Sequence, residues 1–505
     1  MNDMNTTIFL PVCDKTVTAE AGCEYAMPDY QPEIRRLLRV TSTVCPPATY
    51  VGAGKAEFVG SVRYDLLYSA ADGGLYSTSV TENYQLSAPL DKDADVDFSD
   101  EMVAFCEPRA ELLTARVTAP RKLSIRCRLR GNVRAYGRRR LFERLLGEVS
   151  EGSVQRLAGE SRCAVFARPA VETFRLSAEF AAGDGDVRVI CGDAAMVVNE
   201  TVPSAEGIGC RGDAYLKVAI CREGVDDTPV MLTERVPFSV TVPAEGYSAS
   251  TSCRGRAVCT ELSTAVTEDG QILVDMVGAL TVEGQENIAL HYTADLYSTE
   301  RTDRSVYAEH RFPVAGACLG GNFTQSVYEP LTSFGLAPDC EVLDLRGVAE
   351  VSGVTIEKGR CAVVGDTRVT LLVREGGEYA AHELTLPFRY ECEGEDGVLS
   401  YASADVFMVS GRARADGGRL SVECEMAVSA RLCGEDGIRA LCQAEFGEPV
   451  AKLSEMVVAF PEKGESLWSV AKRYHVSAAE LARINAVPVS VALPLPDRAP
   501  IVVNE

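Results

Sequence analysis

Side chains that commonly perform catalysis or bind metals are present in this sequence, but their spacing suits neither task. The four histidines lie far apart and form no HExxH pair: His291, His310, His382 and His475. The eighteen cysteines contain no CxxC pair, whereas zinc sites need clustered ligands. No nucleophile paired with a base, no carboxylate pair and no phosphate-binding loop stands out. We therefore expect a non-enzymatic protein that has no metal and no cofactor.

One short motif has the spacing of a dinucleotide-binding fingerprint. Gly207, Gly209 and Gly212 satisfy the pattern GxGxxG. That fingerprint needs a strand before it and a helix after it, so that the phosphate meets a helix N-terminus. Residues Asp213 to Ile220 continue instead as a strand. We interpret the motif as a loop between strands.

A segment near the C-terminus, Lys463 to Ser477, has the pattern of a small binding module. Ser466 is a suitable helix N-cap. The apolar residues after it recur at i, i+3, i+4 and i+7: Leu467, Val470, Ala471 and Tyr474. This spacing predicts a first helix with one apolar face.

A second helix is predicted to open at Ser477, whose hydroxyl forms a capping box with the carboxylate of Glu480. Leu481 and Ile484 lie on the buried side of this helix. Asn485 is its expected stop.

Two short strands are predicted to flank the helices, Met456 to Phe460 before them and Ile501 to Val503 after them. The order strand, helix, helix, strand, with Gly464-Glu465-Ser466-Leu467-Trp468 and Ile484-Asn485, resembles a LysM domain. We assign residues 455–505 to this domain. In its second half the usual Gly-Gln turn before the last strand is absent.

The LysM resemblance implies a shallow groove for N-acetylglucosamine polymers, between the loop after the first strand and the loop before the last. The candidate binding residues in and beside these loops are Lys463, Gly464, Glu465, Ser466, Leu467, Trp468, Asn485, Ala486, Val487, Pro488 and Val489.

Length and composition predict several folded domains that do not bind nucleic acid. At roughly 150 residues per domain, a chain of 505 residues predicts three or four. Lys and Arg total 50 against 73 Asp and Glu, and the net charge of −23 disfavours contact with a phosphate backbone. Residues Met1 to Glu20 have no early basic region, and the apolar run Ile8 to Val12 is too short for a signal peptide or a membrane span. We expect a cytoplasmic protein with no transmembrane segment and with reduced cysteines.

Weak internal similarity divides the chain before this module into three units. Segments that begin at Gly60, Gly212 and Gly365 align, at spacings of 152 and 153 residues. So long a period indicates tandem whole domains, because solenoid units have roughly 20 to 50 residues. Apolar and polar residues alternate between turns in each unit, which predicts a mainly β fold. We expect three tandem β-sandwich-like repeats, at residues 7–157, 158–310 and 311–447, followed by the small α+β LysM domain.

A basic stretch from Arg116 to Arg144 contains eleven basic residues and one acid, Glu143. Within it Arg126, Arg128 and Arg130 alternate with apolar residues, which predicts a strand with one face of arginines. Two interpretations stay open for this face. It is either an ordinary solvated surface or a contact for an anionic group, on a neighbouring protein or on a membrane.

A further signature opens the first repeat at Pro28-Asp29-Tyr30-Gln31-Pro32, with fainter echoes in phase near Asp184 and Pro338. Together with the repeats and the terminal module, it resembles the clostridial spore-coat morphogenetic proteins of the SipL type. The resemblance implies a scaffold made in the cytoplasm of the mother cell and recruited to the forespore surface. Its LysM domain would bind the coat morphogenetic ATPase, and other coat proteins would be further partners.

The alternative is a cell-wall-associated protein whose LysM domain binds peptidoglycan. The expected cytoplasmic location favours the protein-binding scaffold, because a chain that is not exported does not reach the glycan of an intact cell. The absent Gly-Gln turn favours the same interpretation.

Overall fold

The computed structural model describes the chain except for residues 1–5, 53, 91–101, 142, 182, 184–185, 205, 223–225, 358–359, 394–398, 452–455, 463, 487–499 and 505. Strands dominate the described residues, and the two α-helices among them both lie near the C-terminus. The predicted mainly β fold is confirmed. The eighteen cysteines are free thiols, and Cys127, Cys221 and Cys424 are buried within alternating strands.

The first lobe, Thr6 to Leu141, contains eight strands among its described residues: β1 (Thr6–Glu20), β2 (Cys23–Ala26), β3 (Ile34–Val44), β4 (Ala48–Gly52), β5 (Lys55–Ala70), β6 (Leu75–Pro89), β7 (Val103–Ala119) and β8 (Lys122–Leu141). β8 pairs with β1, β2 and β7 in one sheet, and β5 pairs with β3, β4 and β6 in another. The inward side chains of both sheets, such as Tyr64 and Ile125, belong to one hydrophobic core.

A short connection follows, with strand β9 (Arg144–Leu146) and a 3-10 turn at Glu151–Ser153. The described part of the second lobe contains seven strands: β10 (Val154–Phe166), β11 (Ala170–Ala181), β12 (Val187–Ser204), β13 (Gly207–Arg222), β14 (Asp226–Val242), β15 (Ser252–Val266) and β16 (Gln271–Ser298). β16 pairs with β10, β11 and β15, while β13 lies between β12 and β14. Leu216 and Met276 are part of the core that these two sheets share.

In the third lobe the structure describes a 3-10 turn at Leu331–Phe334 and six strands: β17 (Arg301–Pro330), β18 (Glu341–Glu357), β19 (Arg360–Glu375), β20 (Glu378–Glu393), β21 (Leu399–Asp416) and β22 (Arg419–Pro449). β22 pairs with β17 and β21, while β19 lies between β18 and β20. Their shared core includes Val369 and Cys424. β9 pairs in parallel with β22 and so ties the end of the first lobe to the third.

The three lobes follow one pairing scheme, in which the last strand pairs with the first strand and with the penultimate one. The predicted limits between units do not coincide with the ends of these strands. The limit at 157/158 lies inside β10, the limit at 310/311 lies inside β17, and residue 447 lies inside β22. The limits rest on landmarks inside each unit, and the alternation continues past them.

The lobes are in contact with one another. One apolar cluster takes side chains from all three: Ile8, Phe166 and Phe312 are members. Buried ion pairs also cross between lobes, with Arg39 at 2.7 Å from Asp344 and Arg254 at 3.3 Å from Glu107. Between the lobes lies a cavity of about 2070 Å³, lined by residues of all three. The lobes therefore form one body on which the terminal module can rest.

The glycine motif lies within a strand. Gly207 begins β13, and Gly209 and Gly212 lie inside it, so the interpretation as a loop was wrong. A Cβ added to Gly212 would lie 2.1 Å from the Val197 carbonyl oxygen and 2.5 Å from the Phe238 ring. Close packing between strands explains this glycine, and no helix follows it.

The C-terminal module consists of strand β23 (Val457–Ala459), helix α1 (Leu467–Tyr474), helix α2 (Ala478–Ile484) and strand β24 (Ile501–Asn504). β23 and β24 pair antiparallel, so the predicted order of strand, helix, helix and strand is confirmed. In the described part of the chain, no helix has the length and apolarity that crossing a bilayer requires.

Candidate functional site

Both helices of the module begin at the predicted serine caps. The hydroxyl of Ser466 accepts the Ser469 amide at 3.2 Å, and that of Ser477 accepts the Glu480 amide at 3.4 Å. Each bond satisfies an amide that the first helical turn leaves without a backbone partner. The predicted apolar positions of α1 point into the module, where Leu467, Val470 and Ala471 are buried.

Trp468 lies outside that stripe and faces the second lobe. Its indole N–H donates to a carboxylate oxygen of Asp295, on β16, at 2.8 Å. The ring of Tyr297 meets the indole edge-on, with centroids 4.9 Å apart. Only 5% of Trp468 is exposed, and Tyr297 belongs to the same hydrophobic cluster as the module core. The module is therefore docked on the second lobe through this side chain.

Further polar contacts fix the same face of α1. The Lys472 ammonium donates to Asp295 at 2.6 Å and to the Leu296 carbonyl at 3.0 Å. His475 Nδ1 lies 2.8 Å from the Ser298 carbonyl oxygen. The Tyr297 hydroxyl donates to the Val476 carbonyl at 2.7 Å. We call this surface the docked face; it consists of Trp468, Lys472, His475 and Val476.

The electrostatics of the docked face centre on Asp295. Burial by itself would raise the pKa of this carboxyl, but hydrogen bonds from Lys472, Tyr307 and Trp468 outweigh burial and lower the pKa below its usual value. Burial would lower the pKa of Lys472, yet the bond to Asp295 raises it. Both groups are therefore charged near neutral pH, and they attract each other in a partly buried setting.

The loop between β23 and α1 forms one side of the predicted groove. Gly464 is exposed and has a φ of 87°, a left-handed conformation that glycine adopts without strain. The carboxylate of Glu465 accepts the Glu462 amide at 2.9 Å and lies 3.0 Å from the Arg473 guanidinium. These two contacts fix the Glu465 side chain within the module.

Asn485 holds the end of α2 to the last strand. Its side-chain amide donates to the Leu481 carbonyl at 2.9 Å and to the Val502 carbonyl at 2.7 Å, and its oxygen accepts the Val502 amide at 2.8 Å. Ala486 follows in an exposed position with a φ of 49°. Asn485 therefore has a structural role, and Ala486 is the exposed candidate residue that follows it.

The structure separates the predicted binding residues into three groups. Gly464 and Ala486 are exposed. Leu467 lies in the core, and the side chains of Ser466, Glu465, Asn485 and Trp468 are taken up by contacts within the chain. The remaining four lie outside the described residues: Lys463, Val487, Pro488 and Val489.

The predicted arginine strand is part of β8. Arg126, Arg128 and Arg130 are exposed, and Cys127 and Leu129 between them are buried. Glu111 on β7 contacts Arg128 at 2.8 Å and Arg130 at 3.4 Å. Sequence reasoning missed Glu111, because a partner on a neighbouring strand has no fixed spacing in the sequence.

Residues 462–493 match the family model of the LysM domain. The match contains both helices and lies within the predicted residues 455–505, so the C-terminal module is a LysM domain. Searches of curated proteins and of solved structures find no match to the chain. A LysM domain suggests binding to peptidoglycan or a related glycan. The match covers a small part of the 505 residues and assigns no family to the three lobes.

Proposed function

We propose that this chain is a non-enzymatic scaffold for spore-coat assembly and that its lobes are three tandem β-sandwich-like repeats. In this proposal the LysM domain binds the coat morphogenetic ATPase in the mother-cell cytoplasm and recruits the chain to the forespore surface. Other coat proteins then bind the lobes. The resemblance to the SipL-type proteins suggests this partner.

The observation that carries the proposal is the docked face of the LysM domain. Trp468 and Lys472 both bond to Asp295, a protein side chain. One face of this LysM domain therefore contacts protein, through the indole N–H of Trp468, the ammonium of Lys472 and packing against the Tyr297 ring. Fixed on the second lobe, the module presents its exposed loops in one orientation, which suits a scaffold.

A second candidate function is binding to an N-acetylglucosamine polymer. The LysM family match favours it, and so does the exposure of Gly464 and Ala486 beside the groove. The contacts of the docked face come from α1 and the two residues after it, so docking does not cover these two positions. Glycan binding is compatible with the docked arrangement.

One pair of assays separates the two candidates. The full-length chain is sedimented with purified peptidoglycan, and separately used to capture proteins from lysed sporulating cells. The scaffold proposal predicts retention of the coat ATPase and little sedimentation with the glycan. Strong sedimentation with no retained ATPase would support the glycan candidate instead. The full-length chain is preferred because an isolated module would expose Trp468, which the second lobe buries.

A further inference from the structure

Equivalent strands of the lobes carry different charges on their outer faces. β8 begins its buried alternation at Leu123, and β16 begins its own at Ile272. Three residues further on, the outward position holds Arg126 in the first lobe and Asp275 in the second. Both are fully on the outer side of their sheets, because their neighbours in sequence point toward the core.

The outer face of the β1, β7 and β8 sheet is mainly basic. We call it the basic face; its exposed cations are Arg116, Lys122, Arg126, Arg128 and Arg130. Glu111 forms ion pairs with Arg128 and Arg130 and so neutralises part of their positive charge. Within the described residues Arg116 and Arg126 have no ion-pair partner. Glu20 and Glu24 lie exposed on the same face, and the exposed Leu112 lies beside Arg128 in the strand register.

The outer face of the β11, β15 and β16 sheet has the opposite character. We call it the acidic face; its exposed carboxylates are Glu179, Glu261 and Asp275. Strand register places Glu179 beside Leu273 and Glu261 beside Val277. Arg175 is an exposed cation on the same face. None of the three carboxylates forms an ion pair within the part of the chain that the structure describes.

We propose that the basic face binds the acidic face of a second copy of this chain. The two faces differ in sign, each carries unpaired charges around a partly apolar centre, and each also has the minority charge that the other needs. Glu20 and Glu24 would face Arg175 of the other copy. This mixed pattern favours a protein partner over an anionic membrane, which would repel those carboxylates and a chain of net charge −23.

The contact joins two different surfaces, so a pair of copies keeps one free basic face, on one copy, and one free acidic face, on the other. Such a heterologous contact produces rings or open filaments rather than a closed dimer. At physiological salt, charges more than about 8 Å apart are largely screened from each other. The net repulsion between two copies is therefore damped, while charges in contact still attract. Self-assembly of this kind deepens the proposed scaffold function, on which it rests.

Sedimentation velocity of the full-length chain tests the proposal. The wild-type chain should associate at physiological salt, and association should weaken as salt is raised further. Arg126→Glu with Arg128→Glu should weaken association at least tenfold, and Asp275→Arg with Glu179→Arg should do the same. An equimolar mixture of these two variants should associate again, because each supplies the intact face that the other lacks.

Glu423→Arg is the matched control. Glu423 is exposed at the corresponding position of β22, three residues after the buried Leu420, and its reversal should leave association unchanged. A monomeric wild-type chain at every salt concentration would overturn the proposal. The proposal is also overturned if both double variants associate normally and the variant with Arg126→Glu and Arg128→Glu instead loses binding to phosphatidylserine vesicles. No LysM ligand enters these assays, so this proposal and the proposed function can fail separately.

Discussion

The indole of Trp468 donates to the carboxylate of Asp295 at 2.8 Å, across 173 residues of sequence. The same carboxylate accepts the Lys472 ammonium at 2.6 Å. One acidic residue of the second lobe therefore satisfies two donors on α1. Buried donors that lose their acceptor destabilise a contact, so docking of the LysM domain depends on Asp295.

Changing Asp295 to Ala removes the acceptor of both Trp468 and Lys472. We expect docking to weaken by about 1.5–3 kcal/mol, the range for hydrogen bonds to charged groups. Trp468 is the only tryptophan in the chain, so its emission reports this contact alone. The emission of the full-length protein should shift to the red as water reaches the indole.

Asp275→Ala is the control for this variant, because Asp275 is an exposed carboxylate on the same strand, β16. Its emission should match the wild type. If Asp295→Ala also matches the wild type in emission and in thermal unfolding, then the contact with Asp295 does not hold the module.

Docking should depend on pH at both ends of the scale. Asp295 has a lowered pKa in the docked state, so its contribution is complete above the ordinary Asp value of about 3.9 and is lost as the pH falls through the lowered value. Lys472 has a raised pKa, so its contribution is complete below about 10.4 and is lost as the pH rises through the raised value. Trp468 emission should therefore be constant between these limits and shift outside them.

The variants Asp295→Asn and Lys472→Met separate this effect from general unfolding. Asp295→Asn should lose the emission change at acid pH, and Lys472→Met should lose the emission change at alkaline pH. Circular dichroism monitors the fold of the lobes in the same samples. An acid shift of equal size in Asp295→Asn would assign the transition to other groups.

The two parts of the Trp468 contact can be measured separately. Trp468→Phe keeps a ring against Tyr297 but removes the N–H donor, so we expect a loss of about 1.5–3 kcal/mol in docking. Trp468→Ala also removes the packing, and truncating a buried Trp costs about 3–5 kcal/mol. Thermal unfolding and limited proteolysis of the module measure both. Equal effects of the two variants would show that packing makes no contribution.

The side chain of Asn485 should control stability rather than recognition. Asn485→Ala removes two hydrogen bonds to Val502 on β24 and one to the Leu481 carbonyl on α2, each worth about 0.5–1.5 kcal/mol. The module should unfold at a lower temperature. Arg483→Ala, an exposed change on the same helix, should have little effect. Loss of ligand binding by Asn485→Ala with unchanged thermal unfolding would instead make Asn485 a contact residue.

Local patterns predicted the LysM domain well. The caps at Ser466 and Ser477 and the apolar face of α1 depend on residues within one or two helical turns, so spacing alone defines them. The docked face was not predictable in this way. The sequence around Trp468 does not indicate that its partner is Asp295, because the two residues are 173 positions apart and meet only once the lobes have folded.

The lobes show the same division between local and distant information. Alternation placed Arg126, Arg128 and Arg130 on the outside of a strand, and the structure has them there. It could not identify Glu111 as their neighbour, since the pairing of β7 with β8 sets that contact. The predicted limits between units differ from the strand ends for a related reason: alternation reports the presence of a strand and not where its pairing ends.

We propose that the LysM domain stays docked through α1 and binds its ligand with the loops beside Gly464 and Ala486. Ala486→Arg places a bulky side chain at an exposed groove position, and Ala479→Arg makes the same change at an exposed position of α2. The most direct test measures ligand capture by both full-length variants, with the retained ATPase or peptidoglycan as the ligand, together with Trp468 emission. We expect that Ala486→Arg loses the ligand, that Ala479→Arg keeps it, and that emission stays at the wild-type value in both. Capture by Ala486→Arg at the wild-type level would show that the loop at Ala486 does not bind the ligand.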